Sequence, residues 1–198
     1  MAFSVNEFRS QMAGDGARPN LFEVSMPFPI FSNPANAQNK LTFMCKTAQL
    51  PGSQIGVVPV QYFGRELKFA GNRTFTDWTI TIINDEDFVV RNAFERWMNN
   101  INSHATNIRN PAALLLGSYA VDANVTQFGK KGNELKKYRF VGCFPTDVSP
   151  IDVDWGSNDA IEEFTVTLSY QWWESVEDGV VYGIGVAPYS SLNNTILN

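Results

Sequence analysis

The 198-residue sequence predicts a mainly β domain with one packed helix, and three observations carry that prediction. Across residues 162–174, Phe164, Val166, Leu168, Tyr170 and Trp172 alternate with Glu163, Thr165, Thr167, Ser169 and Gln171. This is the period-two pattern of a half-buried strand. Composition agrees: the chain is 44% hydrophobic and 13% aromatic but only 18% charged. Such a balance excludes disorder and favours strands. One segment departs from it: Val90, Ala93, Phe94, Trp97, Met98 and Ile101 recur at helical spacing on one stripe, which reads as helix core.

The elements follow in order. Residues 1–16 read as an N-terminal arm with a short helical turn around 5–12. After the Pro19-Asn20 turn signal, residues 21–26 predict a first strand. Residues 27–39 are a loop rich in Pro and Asn, and 41–46 predict a second strand. Residues 57–70 predict a long protruding hairpin: Val58, Val60 and Tyr62 share one face, and Phe63, Gly64, Arg65 and Glu66 form the tip. Residues 77–83 alternate again, with Trp78, Ile80 and Ile82 inward. For the helix that follows, Asn84 is the expected N-cap, and Asp85, Glu86 and Asp87 supply the negative charge that its dipole favours.

Beyond the helix, residues 102–118 read as a loose connection and 135–144 as a strand, inward through Tyr138, Phe140 and Phe144. Pro145 and Pro150 are expected to bracket a turn before residues 151–155, after which the strand at 162–174 follows. Residues 175–198, rich in Gly and Asn, read as a C-terminal extension to a domain spanning 1–174.

That last strand has an unusual polar face, which carries no Lys or Arg. Exposed strands commonly use such charges against unwanted pairing, so this face is expected to meet something other than open solvent. The net charge of −5 argues against a protein that grips nucleic acid by neutralising phosphates. Residues 1–16 show no basic stretch followed by an apolar run and no segment approaches the length of an apolar membrane span, so no secretory signal and synthesis in a cytoplasm are expected. Cys45 and Cys143, both on expected strands, read as buried free thiols.

The sequence carries no recognisable catalytic constellation. His104, the only histidine, lies in a polar loop and reads as a surface residue rather than a triad member. Two distant cysteines give no zinc spacing. Residues 152–163 imitate a calcium loop through Asp152, Asp154 and Glu163, but the glycine falls at the fifth position and a strand follows, so a capped turn is expected. No enzyme activity, cofactor or metal is expected. A monomeric ligand-binding β-sandwich with exposed tryptophans remains the alternative of another class.

Four segments in order resemble the tail tube protein of contractile-tailed, T-even-like phages: ARPNLFEV at 17–24, FMCKTAQLPG at 43–52, AGNRTFTDWTITIINDED at 70–87, and DVDWGSNDAIEEFTVTLSYQWWE at 152–174. The resemblance implies an antiparallel β-sandwich or barrel with one packed helix. It further implies six copies in a ring whose sheets join into a continuous barrel around a channel. Rings stack inside a sheath, and the virion tail so formed carries the genome into the bacterial host, in whose cytoplasm the chain is made. Implied partners are further copies of the chain, the sheath, baseplate and terminator proteins, a tape measure protein in the channel before ejection, and DNA in transit. Within this picture Glu163, Thr165, Thr167, Ser169 and Gln171 are candidate channel-facing residues, and the hairpin tip is the candidate ring-stacking device. The tube of another injection machine, like the haemolysin-coregulated protein of type VI secretion, is the nearest alternative in kind.

Overall fold

A computed structural model describes residues 5–12, 16–177 and 180–182. Alternating apolar residues build two antiparallel sheets that share one long strand. Sheet A contains β1 (Phe22–Ser25), β6 (Val121–Phe128), the first part of β7 (Glu134–Val148), β9 (Trp172–Glu177) and β10 (Val180–Tyr182). Sheet B contains the last part of β7, then β8 (Glu163–Ser169), β5 (Trp78–Ile83) and β2 (Cys45–Ala48). A separate two-stranded ribbon is formed by β3 (Gln54–Tyr62) and β4 (Arg65–Thr74).

The handover of β7 from one sheet to the other depends on Gly142. Its φ of 68° lies in the left-handed region, where a side chain is disfavoured. Asp122 holds the bend: its Oδ1 accepts the Gly142 N–H at 3.0 Å, and its Oδ2 accepts from Arg139 at 2.5 and 3.1 Å. The bend also explains two corrections. Inward positions shift from Phe140 to Cys143 and Pro145, leaving Tyr138 and Phe144 half-buried. Pro145 does not open a turn either, but sits within β7 opposite Leu168.

The buried faces form one core. Ile80, Ile82, Phe164, Val166 and Leu168 come from sheet B, Val24, Ala123 and Val125 from sheet A. Trp78 stacks on Phe140 with ring centroids 4.3 Å apart. The expected helix is α3 (Val89–Ile101), which buries Val90, Ala93, Phe94 and Trp97 while Met98 and Ile101 lie half-buried at the margin. Phe28 packs edge-on against Phe94 at 5.1 Å, and the Trp97 Nε1–H donates to the Tyr119 carbonyl at 2.7 Å. The cap differs from expectation. Asn84 continues the β5–β8 ladder by bonding Glu162, and the Asp87 carboxylate accepts the first helical N–H, from Val89, at 3.1 Å.

Two further expectations are corrected. The strand expected at 41–46 is mostly helix: α2 (Ala37–Met44) buries Ala37 and Leu41, four apart, whereas a strand would have turned the exposed Phe43 inward with Leu41. A strand missed in the sequence, β6, fills sheet A between β1 and β7. The N-terminal arm carries an exposed helix, α1 (Val5–Gln11), and a short helix, α4 (Leu116–Tyr119), interrupts the connection after α3. The expected domain end at 174 falls inside β9, which pairs with β7 through Val176; residues 183–198 of the extension lie outside the described residues.

Candidate assembly surfaces

The strand expected at 162–174 is two strands. Up to Tyr170 the predicted alternation holds, with Phe164, Val166 and Leu168 buried. At Gln171 the chain breaks, donating its N–H to Val141, and crosses to sheet A. The phase then inverts: Trp172 is exposed, while Trp173 faces inward against Tyr138 and Glu174 is buried. Glu163, Thr165, Thr167 and Ser169 therefore share the outer face of sheet B, and Gln171 falls outside that ladder, its side chain lying against Gly142.

Neighbouring strands extend this face with residues that the sequence reading did not connect to it. Thr81 lies opposite both Thr165 and Thr47, with the Thr81 and Thr165 hydroxyls 3.5 Å apart. Thr79 and Asp147 lie opposite Thr167. The TxT alternation in WTITII repeats that in FTVTLS, and this is the signal that could have found them. Lys46 stands at the margin and is bonded to Glu163 at 2.6 Å. The outcome is a polar wall of hydroxyls with its cation neutralised. β2 has a strand on one side only, so the wall ends on an open edge among the described residues.

The hairpin is present, and its turn is tighter than expected. Tyr62 pairs with Arg65, leaving Phe63 and Gly64 alone in the loop with φ of 45° and 78°. Both positive values identify the two-residue turn whose twist matches a hairpin. Arg65 and Glu66 already belong to β4. At the base, Trp173 Nε1–H donates to the Gly52 carbonyl at 3.1 Å. A bulge near Gly56 bends the ribbon, and a Cβ on Gly71 would come 3.0 Å from the Gly56 oxygen.

Directly paired residues share a face, so Val58 with Phe69 and Val60 with Leu67 build one apolar side, continued by Tyr62. All five are exposed. A lone two-stranded ribbon is marginal in water, and an apolar face of this length calls for a partner. The two edges also differ. Counting bonded pairs back from the turn puts Pro59 opposite Lys68 at a non-bonded pair, so its nitrogen faces away from β4 and offers no donor. The outer edge of β4 has no such interruption.

Elsewhere among the described residues the surface offers little chemistry. His104 is exposed. Among the described residues no three His, Cys, Asp or Glu side chains gather as metal ligands. In the calcium-loop look-alike, the Asp154 carboxylate accepts the Gly156 N–H at 3.1 Å and caps a turn. Cys45 and Cys143 are free; Cys143 is buried and Cys45 only half-buried. Burial pushes the Cys143 thiol up to about 12. Lys40 donates to Asp85 and Asp87, tying α2 to the turn before α3. Its ammonium holds both carboxyls below the usual carboxylate range.

A hydroxyl-rich sheet face whose one cation is paired, an open sheet edge and an unpartnered apolar ribbon define a protein built to associate through its sheets. Comparison with known proteins makes the class specific. Residues 17–176 match the phage tail tube protein family. The tail tube protein gp19 of Enterobacteria phage T4 is 35% identical over 169 residues, covering 84% of this chain and 96% of that protein. The tail tube protein of Serratia phage KSP90 is 29% identical over 177 residues, covering 88% and 97%. A chain of the six-fold symmetrised anti-feeding prophage baseplate shares the fold, with a TM-score of 0.59 at 12% identity, covering 83% of this chain and 98% of that one. The chain belongs to the phage tail tube protein family.

Proposed function

We infer that this chain is a structural, non-catalytic subunit that polymerises into the inner tube of a contractile phage tail. Six copies close a ring whose joined sheets surround a channel. Rings stack through the hairpin inside the sheath, between baseplate and terminator. The tape measure protein fills the channel before ejection, and the genome follows it. The observation that carries this reading is the hydroxyl wall of sheet B on a chain of the tail tube family: Thr79, Thr81, Thr165 and Thr167, with Lys46 bound to Glu163.

A wall of this kind suits a channel that conducts DNA. Each free cation on the wall would exchange counterions for phosphates and hold the strand, whereas hydroxyls and paired charges let it slide. Closing sheets across copies also removes the open edge at β2. Negative-stain microscopy of the purified full chain tests the reading. Rings or hollow filaments with six-fold symmetry are expected. A strictly monomeric species at high concentration, even with sheath and baseplate proteins added, would sink it.

A further inference from the structure

The topology puts two unpartnered surfaces of opposite character at opposite ends of β5. The hairpin enters β5 at Trp78, so it stands at the start of the strand. Its described charges are Arg65, Lys68 and Arg73 against Glu66, a net of +2 over residues 54–74 (three cations minus one anion). At the other end, about 20 Å away for a six-residue strand, lie the turn at 85–87 and the loop at 152–163. The Asn84–Glu162 bonds lock these two segments together.

Residues 85–87 and 152–163 contain three and five carboxylates, eight in all, against the nearby Lys40 and Lys46. The balance there is −6, so the remainder of the chain is +1 (−5 minus −6). At the crest of this acidic end Trp155 is fully exposed, with Val153 and Ile161 at 83% and 73%. An exposed tryptophan beside aliphatic neighbours within a charged rim has the makeup of an interface anchor.

We propose that the acidic Trp155 loop is the receptor for the basic, apolar hairpin of the next copy of this chain. The inference rests on the reading that copies stack through the hairpin, and it assigns what the hairpin meets. The contact joins two different patches at opposite ends of one molecule, so it is head-to-tail and repeats without limit along the stack. Trp155, Val153 and Ile161 meet the Val58–Phe69 side of the ribbon, where Arg65 faces the carboxylates, while Lys68, on the opposite side with Pro59, reaches round the β4 edge to those that flank the ribbon. Opposite charges set polarity, because hairpin against hairpin, or loop against loop, places like charges together.

Zero-length carbodiimide cross-linking of assembled wild-type protein, followed by peptide mass spectrometry, tests the pairing without a mutation. A link from Lys68 to a carboxylate of residues 152–163 is expected in assemblies and not in monomer. Absence of that link, while other inter-copy links form, overturns the proposal. Trp155→Ala gives a second test. The side chain is fully exposed, so the circular-dichroism melt should not move, while the concentration needed for stacking should rise about tenfold or more and leave single rings. Adding Asp152→Lys and Asp154→Lys to an Arg65→Glu, Lys68→Glu variant should restore stacking that either pair alone abolishes. If wild-type protein forms no assembly, the underlying reading fails together with this inference. If wild-type and Trp155→Ala protein stack alike, the receptor assignment fails and the reading of the hairpin stands.

Discussion

The apolar side of the hairpin allows a quantitative prediction about assembly. Val58, Val60, Tyr62, Leu67 and Phe69 are 50, 45, 63, 42 and 55% exposed, so each has about half of its surface left to bury. Complete burial of such a side chain is worth roughly 1.5–3 kcal/mol, so finishing it contributes about 1 kcal/mol each, or ~4–7 kcal/mol for the face. The double substitution Val60→Ser, Phe69→Ser removes about 2 kcal/mol of that gain for every copy added. It should raise the critical concentration for tube growth by roughly 30-fold. The core should be unaffected, because the ribbon is a separate sheet and both positions are exposed. The assay is sedimentation of assembled protein across a concentration series, beside a thermal melt followed by circular dichroism. Equal critical concentrations for wild-type and variant, with equal melts, would refute the idea that this face is buried between copies.

Other expectations concern the wall, the bend and a buried thiol. Thr165→Lys with Thr167→Lys should leave tubes assembled but slow genome ejection, because two new cations per copy would hold phosphate; normal infectivity of a phage carrying both would count against this face as the lumen. Gly142→Ala forces a left-handed φ on a residue with a Cβ, which would also meet Gln171 Cγ at 3.0 Å. The cost should be about 1–2 kcal/mol, lowering Tm by roughly 3–6 °C; an unchanged melt would show that the bend is not strained by a side chain. Cys143 has a folded-state pKa raised by burial from 9.0 to about 12, so the folded state keeps a proton that the unfolded chain gives up. Its contribution is fully present below about pH 9 and is lost as pH rises toward 12, by up to about 1.4 kcal/mol per unit. Denaturant midpoints between pH 8 and 10.5 should fall more steeply for wild-type than for Cys143→Ser; identical slopes would contradict the buried-thiol account.

How much of this was legible in the sequence follows from local physics. Strands β5 and β8 and helix α3 were readable because one face of each meets a single core, so side-chain period and burial coincide. The hairpin was readable from Phe63-Gly64 between two apolar runs. What failed depends on long-range pairing. At Gly142 β7 changes sheets, and opposite it Gln171 breaks one apparent strand into two, so Trp172 and Trp173 exchange faces. No local pattern announces that crossing. Helix α2 was misread because Leu41, Phe43 and Cys45 alternate like a strand, while Ala37 and Leu41 set the burial. β6 was overlooked because it carries polar residues on its outer side, and its place between β1 and β7 is fixed by their register. Half of the polar wall was visible in β8; Thr79 and Thr81 joined it only through cross-strand pairing.

The central claim is that the outer face of sheet B lines a channel shared by six copies. A cryo-EM reconstruction of the assembled tube at side-chain resolution tests it most directly. The account predicts Thr79, Thr81, Thr165 and Thr167 on the channel wall, with the β3–β4 ribbon buried between successive rings. A tube that turns those threonines to its outer surface, or leaves the ribbon in solvent, would contradict it.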